Sequence, residues 1–157
     1  MFSNLLFYLF FHSLFRWLVL VSLIYAIYRA AKGYAGKAVF TKFDDKVRHY
    51  TATIAHIQLV LGILLYIQSP IIKYFWRNYA VAVHERETRF FGMEHITVMV
   101  TAIVCITIGS AAAKRKPNDH AKFKTMLIWF SIGLLLILTS VPWPFSPVVA
   151  RPYFRQF

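Results

Sequence analysis

Six titratable residues lie within long apolar stretches of this sequence: His12, Arg16, His49, His56, Glu94 and His95. Such groups are expensive in apolar surroundings, so each is a candidate functional residue by default. Neutral imidazoles ligate metals, a guanidinium holds an acid, and a carboxylate balances charge or moves a proton. His12 and Arg16 stand four residues apart, which places them on one face of a helix. The chemistry this set suggests is ligation by histidine, with charged groups alongside. The elements that carry these residues decide whether they can act together.

The chain has 157 residues, 59% of them hydrophobic and only 15% charged, with a mean hydropathy of +0.54. Soluble domains carry about 25% charged residues, so the deficit is large. Disorder is excluded by the apolar content. A disulfide-stapled fold is excluded because Cys105 is the single cysteine. Four apolar runs, about residues 5–31, 49–67, 90–113 and 125–141, reach the roughly 20 residues needed to cross a bilayer. The expected architecture is therefore all-α: a four-helix up-and-down transmembrane bundle, one integral membrane domain over residues 1–157.

The net charge of +12 does not point to nucleic acid, because the basic residues concentrate in alternate connections. Arg29, Lys32, Lys37, Lys42, Lys46 and Arg48 follow the first run, and Lys114, Arg115, Lys116, Lys122 and Lys124 follow the third. The positive-inside rule retains both loops on the cytoplasmic side, close to anionic lipid head groups. Both termini and the 68–89 connection are then non-cytoplasmic, as expected for a multi-pass protein of a bacterial inner membrane. The N-terminal run is too long for a signal-peptide core, and no Lys or Arg precedes it, so it reads as a mature helix.

Local punctuation sets the expected limits. Gly33 and Gly36 end the first helix, Ser69-Pro70 ends the second, Asp119 caps the fourth, and Pro142-Trp143-Pro144 stops it. Residues 71–83 mix apolar and basic side chains, and read either as an interfacial helix or as an irregular loop.

Counting along the runs puts His12 about 6 Å below the outer surface and Arg16 about 12 Å below it. Glu94 and His95 fall about 6–8 Å deep, and His56 lies near the bilayer middle. His12 and His95 thus share a level on the first and third helices, which are diagonal in an up-and-down bundle. Two opposed imidazoles at one height suit the axial positions of a haem b. The sequence has no CxxCH, so attachment would be non-covalent. Gly62, Gly92, Ala55 and Ala102 are candidates for giving a macrocycle room.

His56 has several open roles: ligand in place of His12 or His95, hydrogen-bond donor, or contact to a quinone head group. Arg16 needs a counter-charge, either a haem propionate or Glu94, and Arg89 at the outer mouth is a second propionate candidate. Gln58, two residues after His56, points to another face. Met93 and Met99 flank His95 and admit copper, though packing is the simpler reading. His49, His84 and His120 read as interfacial or loop residues, and Cys105 as a small core residue.

These residues resemble a group of small bacterial four-helix membrane proteins labelled cytochrome B. The matching elements are His12-Ser13-Leu14-Phe15-Arg16-Trp17, Ala55-His56-Ile57-Gln58-Leu59 with Gly62 and Tyr66, Arg89-Phe90 with Glu94-His95 and Met99, and Pro142-Trp143-Pro144-Phe145. The likeness runs from about residue 5 to 145 and does not include 146–157. It implies a b-haem membrane protein with His12, His56 and His95 as ligand candidates. The expected function is electron transfer, with a quinone or a larger respiratory complex as partner. The principal alternative is a cofactor-free accessory or structural subunit of a membrane complex. A third reading is an enzyme acting on haem or quinone, with His56 or Glu94 in proton transfer.

Overall fold

The computed structural model describes residues 2–143. Pro144, Phe145 and the 146–157 extension lie outside the described residues. Four long helices dominate: α1 (Phe2–Ala35), α2 (Lys42–Gln68), α6 (His95–Lys114) and α7 (Asp119–Ser140). Between α2 and α6 come three short helices, α3 (Pro70–Arg77), α4 (Tyr79–Ala82) and α5 (Arg86–Arg89), then a π-helical turn over Phe90–Glu94 that runs into α6. Among the described residues there is no strand. All four long helices are apolar and long enough to cross a membrane.

The four pack as an up-and-down bundle. α1 packs against α2 and α7, and α6 packs against α7 and α2, so α1 and α6 are diagonal. The α6–α7 seam is the closest and α2–α6 the loosest. Lipid is as apolar as leucine, so helices in a membrane associate through close packing and hydrogen bonds rather than by escaping water. Small residues supply that closeness on α6 and α7. A Cβ on Gly109 would lie 2.3 Å from Cβ of Trp129, and one on Gly133 would lie 2.6 Å from Ile106. Large rings fill the remaining interior, with Phe123 and Phe130 buried beside Leu23, Ile106 and Met126.

Several helix limits differ from those read in the sequence. α1 continues through Gly33, because Gly33 lies inside the helix with the Phe123 ring seated against it; the chain turns at Lys37, whose φ is 48°. α2 starts at Lys42 rather than near His49, because Thr41 and Asp44 form a reciprocal capping box. Asn118, not Asp119, caps α7, accepting from the Ala121 amide at 2.8 Å. The amphipathic 71–83 segment is helical in two pieces, with Ile72 and Phe75 buried under the cap.

The lysine- and arginine-rich end is held by an ion pair between helices and by a buried arginine that hydrogen-bonds across a second seam. Asp44, 1% exposed, takes Arg29 at 2.6 Å and the Thr41 hydroxyl at 2.6 Å, joining α1 to α2. Arg48 bonds Asp45 at 2.9 Å and the Ser110 carbonyl at 3.0 Å, joining α2 to α6. The sequence placed Arg48 in a loop; the structure buries it.

Candidate functional site

The opposite end of the bundle gathers most of the polar residues singled out in the sequence. α1 brings His12 and Arg16, α2 brings Gln58 and Gly62, and the π turn delivers Glu94 and His95. Arg16 is near enough to act electrostatically on both His12 and His95, and His95 near enough to act on His12. The three therefore share one site, reached from the diagonal helices α1 and α6.

His95 has a defined tautomer. Its Nδ1 lies 2.8 Å from the Ser140 carbonyl oxygen of α7. A carbonyl only accepts, so Nδ1 carries the proton and Nε2 keeps its lone pair. Ligating histidines are oriented by this kind of bond. Phe90 and Phe91 stand around the ring at 5.6 and 6.3 Å between centroids.

His12 is held differently. The Gln58 amide nitrogen donates to the His12 carbonyl oxygen at 3.0 Å and lies 3.4 Å from His12 Nε2. The amide therefore faces a lone pair on Nε2, and the proton sits on Nδ1. His12 Nδ1 and Gln58 Oε1 are both buried with no hydrogen-bond partner among the described residues. A buried polar atom left so costs about 1–3 kcal/mol, and such atoms call for explanation. Gly62 faces the same ring, and a Cβ there would sit 3.4 Å from Cε1. Gln58 thus points at His12 of α1, on a different face of α2 from His56, which meets Thr107 of α6, as the two-residue spacing has it.

Glu94 is paired with Arg89, not with Arg16: Arg89 Nε meets Glu94 Oε1 at 2.6 Å. Five residues separate them, a spacing the i,i+5 geometry of the π turn brings into line. Arg89 also reaches the Val83 carbonyl at 3.3 Å. Arg16 instead lies over the Trp17 ring, 5.6 Å from its centroid, and Trp17 meets Trp143 edge-on.

His56 stands apart. It is exposed on the bundle surface, with Nε2 2.8 Å from Thr107 Oγ1. The Thr107 hydroxyl gives its proton to the Ile103 carbonyl, so it accepts from His56. Thr107 lies twelve residues past His95, about 18 Å along α6. One porphyrin does not connect such levels.

Of the small residues, Gly62 borders the site. Gly92 is occupied by the Phe75 ring, and Ala55 and Ala102 are core. Met93 is 40% exposed and Met99 packs on the core, so neither thioether joins the imidazoles. Among the described residues no three His, Cys, Asp or Glu cluster for a metal; axial ligation of haem requires only two imidazoles. Sequence reasoning overlooked the supports of the site. Tyr66 donates to the Gly92 carbonyl at 2.8 Å, and the Trp76 indole donates to the Tyr66 hydroxyl oxygen at 2.9 Å. An isolated glycine inside an apolar helix run was the readable sign of a close approach.

Comparison with protein-family models, with curated proteins and with solved structures finds no match to this chain.

Proposed function

We propose that the protein is a membrane cytochrome whose His12 and His95 bind one non-covalent haem b. The observation that carries this reading is a pair of imidazoles carried by the diagonal helices α1 and α6 at the same end of the bundle, both within the influence of Arg16. His95 is prepared for ligation, because the Ser140 carbonyl fixes its ring and leaves Nε2 as the donor. His12 keeps a lone pair on Nε2, which the Gln58 amide faces at 3.4 Å and would have to yield to iron, and Gln58 Oε1 is buried without a partner among the described residues. Arg16, one turn from His12, supplies positive charge suited to a propionate. Bound there, the haem would supply one-electron exchange between ferric and ferrous iron. Two grooves on the structure, lined by Tyr66–Arg77 and Ser22–Ile54 side chains, do not reach either histidine.

The likeness to the four-helix proteins labelled cytochrome B supports the same reading. Its extension is an inner-membrane protein with the basic end cytoplasmic and the histidines near the outer face, exchanging electrons with a quinone or a respiratory complex. The test is a reduced-minus-oxidised spectrum of purified protein together with haem-to-protein stoichiometry. One haem per chain is expected; clean, folded protein without iron overturns the reading.

A second reading has its own support. The polar groups within the bundle tie helix to helix: Gln58 to His12, His95 to Ser140, Arg48 to Ser110, and His56 to Thr107. These ties alone would suit a cofactor-free accessory subunit. That reading expects colourless protein that co-purifies stoichiometrically with partners.

A further inference from the structure

We infer that the groove where α3 leaves the end of α2 is a binding site for one anionic phospholipid. The groove is an open depression of about 340 Å³, lined by Tyr66 and Ile67 of α2 and by Ile72, Lys73, Trp76 and Arg77 of α3. Lys73 and Arg77 are four apart, one helical turn, so both cations edge the same opening. Both are exposed.

Neither cation of this pair is matched by an acid. The chain has six acidic side chains, Asp44, Asp45, Glu85, Glu87, Glu94 and Asp119, and all fall within the described residues. Asp44, Asp45, Glu94 and Asp119 are taken by Arg29, Arg48, Arg89 and Lys122. Glu85 accepts from the Tyr74 and Thr88 hydroxyls at 2.9 and 3.1 Å, and Glu87 is engaged as well. Lys73 and Arg77 make no ion pair or hydrogen bond through their side chains among the described residues. Two cations free of acid, above an apolar floor of Ile67 and Ile72, complement a phosphate that carries acyl chains.

The occupant is a lipid rather than a soluble phosphate because of where the groove lies. α3 buries Ile72 and Phe75 against the bundle and leaves Trp76 58% exposed. Indole and phenol side chains concentrate at the level of lipid head groups. Ile67, 63% exposed at the end of a membrane-spanning helix, continues the floor along α2 toward the hydrocarbon. The volume accepts the glycerophosphate and first methylenes, with the remaining chain lying against α2.

The test is native mass spectrometry of the full chain released from phosphatidylcholine nanodiscs containing a minor fraction of phosphatidylglycerol. One phosphatidylglycerol retained per chain is expected. Each cation near such a surface contributes about fivefold, so Lys73→Gln with Arg77→Gln should weaken retention roughly thirtyfold. Arg86→Gln, an exposed cation at the same end that does not line the groove, should leave it unchanged. Far-UV circular dichroism of both variants in neutral nanodiscs verifies the fold, and all three side chains are exposed. Equal retention by the Lys73/Arg77 variant overturns the proposal. So does thermal stabilisation by inorganic phosphate alone equal to that by phosphatidylglycerol, which would mark a soluble-anion site. The outcome is independent of whether the chain binds haem.

Discussion

Arg89 and Glu94 are five residues apart in sequence and 2.6 Å apart in space, a meeting that the π turn between them makes possible. The same turn sets the Phe90 ring 5.6 Å from the His95 ring, again across five residues. In a regular α-helix these partners would diverge, since neighbours stand three or four apart. The turn is thus what lets Arg89 satisfy Glu94 while His95 stays in phase with the core face of α6, where Ala102 follows seven residues on.

The turn is braced from α2 and α3, and its removal is measurable. Tyr66→Phe deletes the hydroxyl that links Trp76 to the Gly92 carbonyl, and should cost about 1 kcal/mol. Gly92→Ala should cost more, about 1–3 kcal/mol, because its Cβ would lie 2.4 Å from the Phe75 ring. Denaturation followed by circular dichroism in detergent reads both. A Gly92→Ala protein as stable as the parent would show that Phe75 does not clamp the turn.

Under the cytochrome reading the three histidines separate cleanly. His12→Ala or His95→Ala should abolish the reduced-state haem bands. His56→Ala should leave them, because His56 bonds Thr107 on the exposed surface about 18 Å along α6 from His95. Ser140→Ala should also leave them, since the Ser140 group that His95 contacts at 2.8 Å is the backbone carbonyl. Loss of the bands in His56→Ala alone would reverse the ligand assignment.

What the sequence disclosed follows from the length of its signals. Four apolar runs define four helices, and counting from their ends put His12 and His95 within reach of each other. Glu94 was kept beside a haem propionate as a counter-charge for Arg16 because an i,i+5 partner such as Arg89 is invisible without the π turn. Gln58 was read as lying on another face than His56, and it does, but the spacing alone did not disclose that His12 of α1 is its partner. Arg48 looked like a loop cation because the apolar run starts after it. The Thr41-x-x-Asp44 pattern was present, however, and it marks where α2 begins.

That capping box leads to a prediction at the basic end. Asp44 accepts from Arg29, from the Thr41 hydroxyl and from the Thr41 amide at 3.0 Å. Asp44→Ala would leave Arg29 without its acid and remove a cap. Breaking a buried ion pair costs about 3–5 kcal/mol, and Arg29, 31% exposed, recovers part of this from solvent. The expected loss is roughly 2–4 kcal/mol, and Asp44→Asn should restore about 1 kcal/mol through the cap. A loss below about 0.5 kcal/mol, the usual limit for surface changes, would mean the pair does not hold α1 to α2.

The α6–α7 seam gives the sharpest packing test. Gly109 and Gly133 face side chains of the opposite helix at distances no Cβ tolerates, 2.3 Å to Trp129 and 2.6 Å to Ile106. Neither neighbour can yield easily. The Gly109 contact is with the Trp129 Cβ, which is fixed to the backbone, and Ile106 is fully buried. Gly109→Val must therefore push the helix axes apart, and overpacking of this kind costs about 1–3 kcal/mol or more. Trp129→Ala does not relieve the clash, because alanine keeps the Cβ, whereas Trp129→Gly removes it. Gly109→Val in a Trp129→Gly background should therefore cost less than in the parent. A double-mutant cycle by denaturation in detergent measures the difference, and a coupling near zero would show that the two helices do not approach through Gly109.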